Sequence, residues 1–291
     1  MALFVAHPAL ALLLAAAINI VFAPQLPDSL KQFGKLLLQG AIVLLGLTIN
    51  VQSLWSVSQH YSVLIAVYVV LTILVGIVLG RFLRADTDQT RLLAAGTAIC
   101  GGTAIAALGP VIRARTESVA ACLTIVFVLN AIAIVVLPRV GSYFELSQAQ
   151  FGVWIALAIH DTSSVVGAGA IYGDEALQVA TTVKLVRMLC LIPLILTAAI
   201  LLNRRETKSR LPGFILFFVL FSVVGSVSKM PADWLAGISA LSRFMLVAAL
   251  FLMGLEISRK SISNLNYRGV TLGICLWLLV LPTTFWAVKL W

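Results

Sequence analysis

Runs of about 20 mainly apolar residues, the length a helix needs to cross the hydrocarbon core of a bilayer, recur along this chain. Ten are legible, at roughly 3–23, 32–50, 60–80, 91–112, 117–138, 151–171, 176–202, 211–228, 235–257 and 268–289. The connections between them are short and hold proline or clustered charge, as at Pro24 and Pro27, Arg81 to Arg91, and Arg204 to Arg210. Of the 291 residues, 61% are hydrophobic and 11% are charged, whereas a soluble domain carries about 25% charge. The reading is an all-α polytopic membrane protein of about ten transmembrane helices, with residues 1–291 as a single integral membrane domain. The net charge of +9 is scattered through the short connections and builds no basic face, so the expected partner is the lipid bilayer and not nucleic acid.

Lysine and arginine concentrate in cytoplasmic loops. With all ten segments crossing, alternate connections hold Lys31, Lys35, Arg81, Arg84, Arg91, Arg139, Arg204, Arg205, Lys208, Arg210, Arg259, Lys260 and Arg268, 13 in all. The opposite side holds 6, namely Arg113, Arg115, Lys184, Lys229, Arg243 and Lys289. The first set is expected to be cytoplasmic, which leaves both termini on the non-cytoplasmic side. No basic residue precedes the first apolar run, so a retained span is expected there and not a cleaved signal. Cys100, Cys122, Cys190 and Cys275 each sit inside an apolar segment without CxxC spacing, so neither a disulfide framework nor a metal site is expected.

Leu36 onward (LLLQGAIVLLGLTIN) aligns without gaps on Phe244 onward (FMLVAALFLMGLEIS), with Gly46-Leu47-x-Ile49 against Gly254-Leu255-x-Ile257. The two lie in segments 2 and 9, which run in opposite directions, and inverted repeats characterise many secondary transporters.

Three constellations carry polar chemistry within apolar segments. In segment 4, Gly96-Thr97-Ala98-Ile99-Cys100-Gly101-Gly102-Thr103 continues to Gly109-Pro110. Glycine costs a helix interior about 1 kcal/mol relative to alanine and proline about 3, so a discontinuous helix is expected to unwind at Gly101-Gly102. A half-helix N-terminus there would suit an anion. In segment 6, His160-Asp161-Thr162-Ser163-Ser164 lies at mid-bilayer depth within Val153–Ile171, read as one membrane helix. A charge there costs about 2.5–3.5 kcal/mol on insertion scales, so these residues need a shared, hydrated pocket. Asp161 reads as a proton carrier, a cation ligand or the counter-charge to a buried base. In segment 7, Lys184 and Arg187 are three apart and so share a helix face. Both are expected to face inward, neutralising Asp161 or gripping an anion, which Arg187 could hold with two parallel hydrogen bonds.

Among lesser features, Asn130 reads as an interhelical hydrogen bond. Glu256 reads as a surface ion pair with Arg259 and Lys260. Trp154, Trp277, Trp286 and Trp291 read as an interfacial belt.

The stretches GTAICGGTAIAALGPVIRA and HDTSSVVGAGAIYGDEALQVATTVKLVRMLCLIPL resemble the paired signatures of the YeiH, or UPF0324, family of bacterial inner-membrane proteins, also named as sulfate exporters. The motif positions match at Cys100-Gly101, Ala104, Pro110, His160-Asp161, Val165, Ala168, Lys184 and Arg187. Members commonly begin with one more hydrophobic segment, and many carry a longer amide where this chain has Ser164. The resemblance implies a plasma-membrane secondary transporter of the cation/proton antiporter and anion transporter superfamily, with inverted repeats and discontinuous helices. The expectation is a non-enzymatic transporter, without cofactor or metal, that moves a small anion of sulfate or organosulfonate type coupled to H⁺ or Na⁺, with a homodimer as one allowed assembly. Its candidate substrate-binding residues are Thr97, Cys100, Gly101, Gly102, Thr103, His160, Asp161, Thr162, Ser163, Ser164, Lys184 and Arg187. Three alternatives remain open at this point: a cation/proton antiporter centred on Asp161, an intramembrane hydrolase using Cys100, Ser163 or Ser164 with His160, and a non-transporting scaffold.

Overall fold

The structure, a computed structural model, describes residues 8–22, 27–202, 213–228, 230–256 and 265–290. The connections holding Pro24, Arg204, Arg205, Lys208, Arg210, Lys229, Arg259 and Lys260, together with Ile257 and Trp291, lie outside the described residues. Regular structure among the described residues is helical: α1 (Pro8–Phe22), α2 (Asp28–Gly46), α3 (Val51–Phe82), α4 (Thr87–Ala98), α5 (Gly102–Ile112), α6 (Thr116–Tyr143), α7 (Gln148–Ala158), α8 (Thr162–Tyr172), α9 (Asp174–Leu189), α10 (Leu191–Leu201), α11 (Gly213–Val227), α12 (Ala232–Gly254) and α13 (Tyr267–Leu290). Among the described residues, five stretches are long and apolar enough to cross a membrane, namely α3, α6, Asp174–Ala198, Asp233–Gly254 and α13. Pro193, at the third residue of α10, lacks the N–H that would continue the ladder from α9 and accounts for the interruption at Cys190.

Segments 4 and 6 depart from the expected ten crossings. Each folds back on itself. The α4 and α5 arms, 12 and 11 residues long, reach about 17 Å apiece, half a bilayer's apolar thickness. At the base of this hairpin, the N-cap Asp86 pairs with Arg115, and the Arg115 N–H donates to Asp88 Oδ2 at 3.1 Å. Residue 115 opens α6, so α4 begins and α5 ends at the same end of the bundle. The α7–α8 hairpin repeats the plan from the other end. Phe151 near its start stacks on Tyr172 near its finish, with ring centroids 3.8 Å apart. Gln148 Oε1 accepts from the N–H groups of Glu175 and Ala176. A hydropathy window measures apolar length, and two half-length arms have the same length as one crossing; only the contacts between their bases separate the two cases.

The second hairpin packs on α9 through glycine. A Cβ on Gly152 would stand 2.8 Å from Ala176 O, and one on Gly169 would stand 2.9 Å from Leu177 Cα, so both arms need this small residue. Beside the hairpins, α12 packs against α1 and α2, α11 packs against α2, and α8 contacts α1 and α12.

Folding back also redistributes charge. Arg113 and Arg115 move to the end that holds Arg81, Arg84, Arg91 and Arg268, where Arg268 donates to Arg84 O at 3.2 Å. Arg139 moves to the opposite end with Arg243 and Lys289, near the hairpin base at Tyr143 and Tyr172. Lys184 leaves the loop inventory altogether, being fully buried.

In a background with the four cysteines replaced, a membrane-impermeant thiol reagent should label Thr87→Cys and Thr116→Cys from one side, and Tyr143→Cys and Glu175→Cys from the other. Labelling of residues 87 and 116 from opposite sides would restore segment 4 as a crossing.

Candidate functional site

The two hairpin tips meet. At the first, Gly101 adopts φ +54°, ψ −116°, a region that side-chain-bearing residues rarely visit, and its N–H closes onto Gly96 O at 2.8 Å. A Cβ there would sit 3.1 Å from Val126 Cγ1 and 3.2 Å from the carbonyl carbon and Cβ of His160, which is the second tip. The unwinding expected at Gly101-Gly102 is therefore present, and it is the contact point between the hairpins.

Segment 6 is broken as well, contrary to the single helix expected over Val153–Ile171. Ile159 and Asp161 are extended (ψ 137° and 152°), and Asp161 is the N-cap of α8. Its carboxylate accepts from the N–H groups of Ser163 and Ser164 and from both hydroxyls, at 2.8 Å for each hydroxyl. Asp-Thr-Ser-Ser is thus a helix-start sequence, a signal present in the chain that could have located the break.

Breaking two helices inside a membrane frees carbonyls that lipid cannot satisfy. Donors from three other helices meet this need. Lys184 and Arg187, both 0% exposed, project from one face of α9. Lys184 Nζ donates to Ile159 O (2.7 Å) and His160 O (2.6 Å). Arg187 Nη1 donates to Ala156 O and Leu157 O, both at 2.7 Å, while Nη2 reaches Thr97 O at 3.1 Å and Nε bonds Ile99 O. Trp277 Nε1 of α13 donates to Ala158 O at 3.1 Å. Tyr68 of α3 lies under the guanidinium, 5.1 Å from ring centroid to Cζ, with its hydroxyl 2.8 Å from Leu157 O and 3.0 Å from Thr97 O. Every carbonyl from residue 156 to residue 160 is thereby capped, and Arg187 ties the two hairpins together.

The fold therefore gathers all twelve expected site residues at the tips, on the half-helices that flank them, or on α9, but gives the cations another task. Among the described residues neither Lys184 nor Arg187 forms an ion pair with Asp161. Four of the five Arg187 N–H groups and two of the three on Lys184 go to carbonyls. Cys100 is buried at the first tip, Thr162 Oγ1 contacts Met188 Sδ at 3.5 Å, and Thr103 is exposed. Thr97 Oγ1 is buried with no hydrogen-bond partner.

Tyr68 joins this site with no local signal in the sequence, and Trp277 departs from the expected interfacial belt: it is buried at the tips, and Trp154 is likewise buried and bonded to Leu281 O. Trp286, 60% exposed, suits the belt, whereas Trp291 and the expected partners of Glu256 lie outside the described residues. Asn130 of α6 forms the interhelical bond expected of it, and forms it to the site. Its Oδ1 accepts from the His160 N–H at 3.1 Å and faces His160 Nδ1 at 3.2 Å, while its Nδ2 lies 3.5 Å from Asp161 Oδ2.

Apolar helices on this scale, enclosing charged side chains beside two helical hairpins, define a multi-pass helical membrane protein. The model of the family described as Conserved hypothetical protein 698 matches residues 2–273. A UPF0324 membrane protein of Bacteroides thetaiotaomicron is 37% identical over 279 residues, covering 95% of this chain and 84% of the relative. One from Geobacter sulfurreducens is 36% identical over 280 residues, covering 96% and 90%, and one from Shewanella oneidensis is 40% identical over 253 residues, covering 84% and 78%. The chain belongs to the UPF0324 family of membrane proteins. No solved structure matches it.

Arg187→Ala leaves several buried carbonyls without their donor, at about 1–3 kcal/mol each where nothing replaces it. The variant should lose thermal stability in detergent by about 3 kcal/mol or more, and Tyr68→Phe by about 1 kcal/mol. An Arg187→Ala protein as stable as wild type would remove the capping role and restore the arginine as a dedicated solute clamp.

Proposed function

We propose that this protein is a secondary transporter of a small anion, with the solute held where the hairpin tips meet. The observation that carries the reading is the charge enclosed there. Lys184 and Arg187 place two fixed positive charges beside one carboxylate, and Asp161 is the one acidic side chain among the described buried residues. A buried charge needs compensation, and an anion supplies it. The α5 N-terminus adds attraction, because its N-cap Gly101 contributes no side-chain cap to the first N–H groups. The remaining N–H groups of Lys184 and Arg187 and the unpartnered Thr97 hydroxyl are further donors within the same shell.

A cation/proton antiporter is favoured less. Its cation would add to two positive charges already fixed at the tips, and the Asp161 carboxylate already accepts from Ser163, Ser164 and Asn130. A hydrolase is also disfavoured, since the Ser163 and Ser164 hydroxyls go to Asp161 and His160 Nδ1 faces Asn130.

The inverted repeat belongs to this proposal. Gly46 of α2 lies against Phe218 O of α11, and its repeat partner Gly254 of α12 lies against Leu12 O of α1. These contacts support a reading of α1–α2 and α11–α12 as oppositely directed repeats, and the entry of α4–α5 and α7–α8 from opposite ends suits alternating access around a fixed midpoint. The end that holds Lys31, Lys35, Arg81, Arg84, Arg91, Arg113, Arg115 and Arg268 is the cytoplasmic one on this reading, by the positive-inside rule. Coupling is to an H⁺ or Na⁺ gradient.

Purified protein should melt at higher temperature in sulfate or a small organosulfonate, by about 2.7 kcal/mol of added stability at a hundredfold excess over Kd. Gly101→Ala should abolish that increment, and proteoliposomes should exchange labelled sulfate. Electroneutral Na⁺/H⁺ exchange without any dependence on anion would overturn the proposal in favour of the antiporter.

A further inference from the structure

Asn130 stands outside the tips, on the 28-residue helix that joins the two hairpins, yet it is the side chain most directly engaged with both tip residues His160 and Asp161. A buried amide in this position can be oriented two ways, and its neighbours decide between them. The backbone N–H of His160, 3.1 Å away, can only donate, so it must face Oδ1. The Asp161 carboxylate, 3.5 Å away on the other side, accepts, so it must face Nδ2. Both constraints select the same orientation. His160 Nδ1 also faces Oδ1, at 3.2 Å. Opposite an acceptor that nitrogen must carry the hydrogen, and in a neutral imidazole the lone pair then resides on Nε2.

We propose that Asn130 is a positioning residue that holds His160 as its Nδ1–H tautomer, which leaves Nε2 as the ring atom that gains and loses a proton. This rests on the transport reading only for its consequence, because the tautomer itself is fixed by geometry. The consequence is a direct link between proton and solute. Neutral His160 presents an acceptor at Nε2. Once the proton is taken up, the same atom becomes a donor, and the added positive charge stands beside Lys184 and Arg187, where an anion balances it. Proton and anion are then bound together and move in the same direction.

The charged and titratable groups around His160 are few. Asp161 follows it and Lys184 bonds its carbonyl. Arg187 bonds the carbonyls of Ala156 and Leu157 earlier on the same arm. Cys100 lies next to the Gly101 contact, and Tyr68 shares the Leu157 carbonyl.

The chain has 3 histidines, His7, His60 and His160, so a His7→Gln, His60→Gln protein labelled with ¹⁵N-histidine reports on His160 alone. Its neutral spectrum should show Nδ1 in the protonated range and Nε2 in the unprotonated range, and on acidification the Nε2 resonance should be the one that moves. Asn130→Leu, which removes the acceptor, should lose the single tautomer, whereas Asn130→Asp, which keeps an acceptor toward Nδ1, should retain it. An Nε2–H tautomer in the unsubstituted protein, or an unchanged tautomer in a folded Asn130→Leu, would overturn the inference. Should Asn130→Leu fail to fold, the spectrum of the Asn130-containing protein still decides. Failure of sulfate exchange in proteoliposomes would count against the transport reading and leave the tautomer result standing.

Discussion

The structure depends on one set of hydrogen bonds, those from the buried cations of α9 to the carbonyls at the hairpin tips. A helix interrupted in the membrane interior frees backbone groups that cost several kcal/mol each if left to lipid. Arg187 meets this with a planar fork that reaches Ala156 and Leu157 in one hairpin and Thr97 and Ile99 in the other, while Lys184, one turn earlier, covers Ile159 and His160. The negative ends of two half-helix dipoles lie against these cations, which makes their burial tolerable. A lysine at 187 would keep the charge without the reach, since the bridge needs donors spread in a plane.

From that linkage the rest of the centre follows. Because Arg187 bonds both hairpins, displacement of one tip is felt by the other, and the glycine at 101 lets the tips touch along their backbones. The arms that lead away from the contact are half-length and enter from opposite ends, so each tip is reached from one side of the bundle. The opposite polarity of the dipoles separates two surfaces: carbonyl ends closed by cations, and N–H ends of which one is capped by Asp161 and the other is left without a side-chain cap. The transport reading proposed above rests on this divided centre, in which two buried cations stand beside a single carboxylate.

Much of this was legible residue by residue. The glycine pair predicts the first break because glycine is costly in an uninterrupted helix, and the i, i+3 spacing of Lys184 and Arg187 predicts their common face. The second break carried an equally physical signal in Asp161 followed by two serines, the pattern of a helix N-cap, but hydroxyls in an apolar run also fit a ligand shell, and composition does not separate the two. Trp277 and Asn130 show the opposite problem. A tryptophan near the end of an apolar segment looks interfacial, and an asparagine within one looks like generic interhelical glue. Their roles depend on which carbonyl or N–H stands opposite, which is information from a different helix.

By itself the sequence determined that the chain is helical and membrane-embedded, that its polar groups gather in a few segments, and which of them would share a face, because hydropathy, glycine cost and helical periodicity are local properties. Tertiary structure alone decided that two segments double back, that the basic loop residues divide between the two ends differently from a ten-crossing count, and that the buried cations serve the carbonyls of the hairpin tips. Those outcomes turn on contacts between residues 24 to 90 positions apart along the chain, such as Asp86 with Arg115, Lys184 with His160, and Arg187 with Thr97, and no local pattern encodes the partner at such a distance.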